Sequence, residues 1–181
     1  MSSASLKYLS GYPAHLVAQV RELLDSRQLG PMLRRKYPAP HTVRNDAALY
    51  EYVSELKARH LRNAAPLSKI AWDGKLQSIQ KALGTHTTVA RIQGGKIKAK
   101  REIRIATLFR EAPPEFLRMI VVHELAHLKE REHDKAFYQL CCRIEPHYHH
   151  LEFDVRAWLC LVDATGEALW SAQPAAGVPE A

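Results

Sequence analysis

The chain has 181 residues, a formal charge of +7 and a pI near 9.4, with 46% hydrophobic and 25% charged residues. This length suits one domain with an extension, and the composition is globular enough for a real core. No apolar run approaches the roughly 20 residues of a membrane span. The N-terminus MSSASLKYLSGYPAHL lacks a charged stretch leading into an apolar one, so no secretory signal is read. Three cysteines, Cys141, Cys142 and Cys160, form no CxxC, which argues against a disulfide framework and for a reducing cytoplasm. Excess positive charge points to acidic partners such as nucleotides, phosphates or nucleic acid, without establishing them.

In chain order, Leu16, Val17, Val20, Leu23 and Leu24 recur at helical spacing and predict a helix over Ala14–Ser26. Gly30-Pro31 is expected to break the pattern before a short helix over Met32–Lys36. Tyr37-Pro38-Ala39-Pro40 reads as a linker. A longer helix follows, capped by Asn45 or Asp46, with Leu49, Val53, Leu56 and His60 as its inner stripe. The period then changes. Lys69–Trp72 reads as a strand, Leu76–Leu83 as a short helix, and Thr85–Gln93 as a β-branched strand ending at a Gly94-Gly95 turn. Lys96–Lys100 and Glu102–Leu108 read as two more strands, giving an antiparallel meander. Pro113-Pro114 opens a helix with the broad apolar stripe Phe116, Leu117, Ile120, Val121, Leu125 and Leu128. Asp134 reads as the cap of the next helix, through Phe137, Leu140 and Ile144. Beyond Pro146, Leu151, Val155, Trp158, Leu159 and Val162 mark a last buried face. The tail from Ala164, rich in Ala, Gly and Pro, is expected to be flexible.

The helix around residue 123 carries His123-Glu124-Leu125-Ala126-His127. Residues four apart lie one above the other on a helix, so both imidazoles can reach one Zn²⁺. Glu124 stands about 100° round the helix and can take a proton from a water activated by the ion without displacing a ligand. The flanking Met119-Ile120-Val121-Val122 is core-like, and burying two histidines and a glutamate there is costly without a purpose. His133 is the candidate third ligand. A continuous helix would carry it about 9 Å along the axis from His127, so the chain must leave the helix and turn back. The offsets match HExxHxxGxxH, the metzincin pattern, but Glu130 replaces its glycine and the turn must be built differently. Otherwise the third ligand is a downstream acid, Glu145 or Glu152.

IVVHELAHLKEREHDKAFYQLCC, followed by EPHYHHLEFDVRAWL, resembles the YgjP-like metallopeptidase domain family, small relatives of the SprT and WLM zinc-hydrolase domains. RIQGGKIKAKREIRIATLFR and YLSGYP extend the resemblance to nearly the whole chain, roughly Tyr8 to Leu161. It implies a zincin-type core, ligands at His123, His127 and His133, and a catalytic Glu124. Proteins of this type are called peptidases by motif and are also described as UTP pyrophosphatases.

The expectation is an α+β chain: a helical part over residues 1–66, a zincin-like core over 67–163 with a small antiparallel sheet on the HExxH helix, and a flexible tail over 164–181, all one compact unit. Lys96, Lys98 and Lys100 alternate with Ile97 and Ala99, either as a solvated strand face or as a ribbon for phosphate or nucleic acid. Tyr148 or His149 could donate to a developing oxyanion. A second metal site at His147 and His150 is not expected, and His60 and His86 read as ordinary. Asp134 reads as a cap rather than a partner for a ligand histidine, and Phe137 and Tyr138 as packing beneath the metal. The reaction is a metal-dependent hydrolysis. Its substrate is a peptide or a nucleotide, with a nucleic-acid-binding protein holding a vestigial zinc site as the rival from another class.

Overall fold

The computed structural model describes residues 6–74, 88–93 and 96–171, and side chains within 6–74 and 101–171. A 3-10 turn at Lys7–Leu9 precedes three helices: α1 (Ala14–Asp25), α2 (Leu29–Lys36) and α3 (Asp46–His60). Gly30-Pro31 does not interrupt α2 but lies in its first turn. There the missing proline N–H costs nothing, because the first N–H groups of a helix have no intrahelical acceptor. Asn45 caps α3, its side chain accepting from the Ala48 N–H at 2.8 Å.

Three strands follow: β1 (Lys69–Asp73), β2 (Thr88–Gln93) and β3 (Lys96–Ala106), in the order β1-β3-β2. The expected antiparallel meander is corrected here. β2 and β3 do pair antiparallel, with Gln93 opposite Lys96, but β1 runs parallel to β3, with Lys69 opposite Glu102 and Asp73 opposite Ala106. A parallel neighbour needs a long connection, and β1 and β3 are separated in the chain by residues 74–95, which include β2. The two strands expected at Lys96–Lys100 and Glu102–Leu108 are one, β3. Ser68 donates its N–H to the Arg101 carbonyl at 2.9 Å, so pairing with the β1 side begins where a break was expected. The expected helix at Leu76–Leu83, the Gly94-Gly95 turn and His86 lie outside the described residues. So do the side chains of Lys96, Lys98 and Lys100.

A 3-10 segment at Thr107–Glu111 leads into α4 (Pro114–Ala126), followed by α5 (Lys135–Ile144) and α6 (Tyr148–Thr165). Every residue of α4 from Met119 to Ala126 is buried. A helix apolar on all sides must be covered on all sides. The sheet, α5 and α6 cover it. One buried cluster runs from Tyr8 and Leu9 through α3 and the sheet to Trp158 and Trp170, so the helical N-terminal part shares its core with the rest. The tail differs from expectation. Ala164 and Thr165 end α6, Gly166 closes it at φ +68°, and Leu169 and Trp170 are buried, with the Trp170 indole N–H donating to the Tyr37 carbonyl at 2.7 Å. Residues 172–181 lie outside the described part.

Candidate metal centre

α4 ends where the site needs it to end. His127 is its C-cap. The Leu128 N–H then bonds the Leu125 carbonyl, and the Lys129 and Glu130 N–H groups both bond the Ala126 carbonyl at 3.0 Å. Among the described non-glycine residues only Arg27 has positive φ, so Glu130 sits in ordinary backbone and this turn needs no glycine. The Arg101 guanidinium ties the turn to β3 by donating to the Leu128 carbonyl at 2.6 Å. Asp134 then caps α5, accepting from the Phe137 N–H at 3.0 Å, and the chain has doubled back with His133 beside its two predecessors.

The three Nε2 atoms converge: His123 to His127 at 3.3 Å, His123 to His133 at 3.2 Å and His127 to His133 at 3.0 Å. Three imidazoles cannot satisfy one another through these atoms, since each contact needs one protonated and one bare nitrogen. A tetrahedral ion with Zn–N bonds of roughly 2.0–2.1 Å needs donors roughly 3.3 Å apart, which is the spacing present. The far nitrogens are held separately. His127 Nδ1–H donates to the Glu130 carbonyl at 2.9 Å, leaving Nε2 as the lone-pair atom, and His123 Nδ1 lies 2.8 Å from the Tyr148 hydroxyl. Phe137 floors the group, its ring centroid 4.6–5.0 Å from all three imidazoles. Among the described residues this is the one group of three donor side chains able to hold a metal ion.

Glu124 is buried beside His123, and desolvation alone pushes its carboxyl up to about 8. Desolvation lowers His133, with Glu152 opposing, and raises the Tyr148 phenol well above its usual range. The alternative ligands are engaged elsewhere. Glu145 pairs with Arg118, and Glu152 with Arg156 at 2.8 Å.

The expected oxyanion donors are placed differently. Tyr148 is fully buried, with its hydroxyl on the Nδ1 side of His123, away from the converging Nε2 atoms. His149 is exposed on the first turn of α6, its ring 5.3 Å from that of Tyr138, and lies outside the histidine group. His147 and His150 are exposed as well. Two residues were not singled out. Arg101 stood only as part of a basic run. His41 is buried, accepting the Val43 N–H at Nδ1 and donating from Nε2 to the Phe109 carbonyl, and nothing in its Pro-rich sequence neighbourhood signals this.

A model of the YgjP-like metallopeptidase domain matches residues 34–157. The chain belongs to that family. It is also 58% identical over 156 residues to a protein of Escherichia coli (strain K12) named UTP pyrophosphatase, across 86% of this chain and 93% of that one. No solved structure matches it significantly. This member of the YgjP-like family is therefore a hydrolytic enzyme with a metal cofactor, and the reading as a non-catalytic nucleic-acid-binding protein is set aside. Among the described residues no helix is long and apolar enough to cross a membrane.

Proposed function

We propose that this YgjP-like protein is a zinc-dependent hydrolase of nucleoside triphosphates, UTP foremost, releasing diphosphate. His123, His127 and His133 hold the ion, and Glu124 is the general base. The observation that carries the metal part is the convergence of three Nε2 atoms at 3.0–3.3 Å on a rigid aromatic floor. The substrate follows the relative that is 58% identical. Bound at the three nitrogens, zinc supplies Lewis acidity, acidifying water and stabilising charge on the attacked centre. Glu124 does the proton work. Its carboxylate takes a proton from the attacking water and then passes it to the departing group. His127, through the Glu130 carbonyl, and Phe137 hold the imidazoles still, so little reorganisation accompanies the reaction.

A peptidase is the second reading, favoured by the family's metallopeptidase description and by a single three-histidine group, since phosphoanhydride cleavage more often uses two metals. One observation limits where a peptide could add a strand: at the β1 edge the Trp72 N–H is already taken by Asp46 of α3 at 2.9 Å, while β2 is the other edge strand. Diphosphate release from a panel of nucleoside triphosphates, wild type against Glu124→Gln, tests the proposal. Release from UTP that vanishes in the variant supports it. No release from either protein removes the nucleotide reading and turns the search to peptides.

A further inference from the structure

The side chains of β3 alternate between two faces. Ile103 and Ile105 are fully buried, so the face they share is the one turned into the core, where β3 meets α4. Arg101, two residues before Ile103, falls on that face, whereas Glu102 and Arg104 fall on the other and pair with each other at 3.0 Å. The Arg101 carbonyl accepts from the Ser68 N–H at 2.9 Å and from the Ser68 hydroxyl at 3.1 Å, and Thr88 of β2 lies opposite, so the root of the side chain is fixed from both sides. A guanidinium on the inner face of the central strand is costly to desolvate unless its charge is used. It reaches past the end of α4 to the turn between His127 and His133, where Nη1 donates to the Leu128 carbonyl at 2.6 Å. That acceptor is neutral and leaves the charge unmatched. Arg44, Arg118 and Arg156, likewise half-buried, each pair with a carboxylate, of Glu111, Glu145 and Glu152 in turn. Among the described residues Arg101 pairs with no carboxylate, so a half-buried positive charge stands beside the histidine turn with N–H donors to spare.

We propose that Arg101 binds the β- and γ-phosphates of the substrate, the part released as diphosphate. This rests on the nucleotide reading of the site and names the group that makes the site select a polyphosphate. In that reaction water adds to the α-phosphorus, and the bond from the α-phosphorus to the α,β-bridging oxygen breaks. Diphosphate departs with that oxygen and its electron pair, and a proton of the water reaches it through Glu124. Negative charge grows on the departing group, which extends away from the attacked centre. A fixed cation next to the three histidines, rather than among them, matches the place where that charge develops. A guanidinium suits the task, because its planar N–H groups can meet two phosphate oxygens while Nη1 keeps its bond to the Leu128 carbonyl.

The experiment compares wild type with Arg101→Gln and Arg101→Lys on the full zinc-loaded chain, with zinc affinity and the thermal midpoint as controls for the turn. Gln keeps a donor for the Leu128 carbonyl and loses the charge, whereas Lys keeps the charge and loses the planar pair of donors. In Arg101→Gln the KM for UTP should rise about 10–100-fold, the cost of a hydrogen bond to a charged group, with zinc affinity unchanged. Arg101→Lys should recover part of that loss. Equilibrium binding supplies a readout free of turnover. UTP with a methylene in place of the α,β-bridging oxygen cannot be cut there and should lose affinity as KM rises, whereas UMP, which lacks the β- and γ-phosphates, should bind all three proteins alike. An unmoved KM, a fall in zinc affinity that accounts for the lost activity, or equal weakening of UMP and the methylene analogue would each overturn the inference and reduce Arg101 to a pin for the turn, while wild-type cleavage of UTP left the nucleotide reading standing. Should Arg101→Gln fail to fold, Arg101→Lys decides: a raised KM with UMP affinity unchanged supports the inference, and a wild-type KM overturns it. A wild type that neither cuts UTP nor binds the analogue would remove the nucleotide reading and this inference with it.

Discussion

Two groups of three histidines lie close together in this sequence, and the fold uses them in opposite ways. His123, His127 and His133 are separated by a helical turn and a reversal. Their Nε2 atoms meet within 3.3 Å, over a buried phenylalanine, and two of their Nδ1 atoms have set partners. His147, His149 and His150 are nearly contiguous and more eye-catching, yet all three are exposed around the start of α6 and fall outside any metal-holding group among the described residues. Neighbours in sequence fan out around a helix by about 100° each, whereas residues four apart stack. Convergence of the Nε2 atoms separates the first group from the second, and burial does not, because His133 is itself exposed.

The largest expected effect sharpens the first group by separating chemistry from metal binding. Glu124→Gln keeps the shape of the side chain but cannot accept a proton, so turnover should fall roughly 10²–10⁴-fold with zinc content unchanged. Parallel activity and metal analysis checks it, and a variant that loses zinc in proportion to activity would recast Glu124 as a structural partner of the ligands. Next, His133→Ala removes the third proposed ligand, which the reversal brings to the other two. It should cost zinc affinity more than the roughly 100-fold ceiling for losing an orienting partner. Affinity within a factor of a few of wild type would mean that the third donor is another group and that convergence at His133 is incidental.

Much of the first group was legible before the fold was known. HExxH on a helix with core-like flanks pointed to two of the three converging histidines and to the buried glutamate beside them, Asp134 before an apolar-periodic run specified a cap, and Phe137 fell on the inner face. Tyr148 was expected as an oxyanion donor, and its burial on the Nδ1 side of His123 was missed although a signal existed. Tyr148 precedes Leu151 by three and Val155 by seven, which puts it on the buried stripe of α6, but the surrounding histidines made the turn look polar. The sheet was harder. Alternation reports which face of a strand is buried and says nothing about strand direction, so the parallel β1–β3 pair was invisible. The charges of Lys100, Arg101 and Glu102 imitated a loop inside β3. Leu169 and Trp170 were hidden by a tail composition that resembles a linker.

Intermediate effects test what places His133. Asp134→Ala should destabilise the protein by about 1 kcal/mol through the lost cap, read from thermal or denaturant unfolding, while Asp134→Ser should recover most of it. Zinc affinity should fall far less than in His133→Ala. A larger fall would show that the cap, and not packing on Phe137, positions the third ligand. His41 offers a third kind of histidine, buried but not convergent. Burial lowers its pKa below 6.5 in the folded chain, and protonating Nδ1 would break the bond from the Val43 N–H. Below 6.5 the unfolded chain therefore binds more protons than the folded one. The His41 contribution is fully present above 6.5 and is lost as pH falls through the folded value. Unfolding midpoints of wild type and His41→Gln should accordingly draw together as pH falls below 6.5. A constant gap would mean that His41 packs as an uncharged plug whose titration is uncoupled from folding.

The smallest expected effect is the most direct attempt to break the comparison. His147→Ala, His149→Ala and His150→Ala combined should leave zinc affinity within about twofold of wild type, and each substitution should change stability by no more than about 0.5 kcal/mol, as for exposed residues without a special contact. His149 is the sensitive member, because its ring rests against Tyr138, half-buried and next to Phe137. If the triple variant binds zinc normally yet KM for UTP rises while kcat holds, the exposed group contributes to substrate binding at the rim and the two groups are neighbours in function. If zinc affinity falls, the exposed histidines His147, His149 and His150 reach the metal in solution, and the rule that convergence marks the ligands fails for this fold. Unchanged zinc affinity and unchanged kinetics would leave the division between the two groups where the geometry puts it.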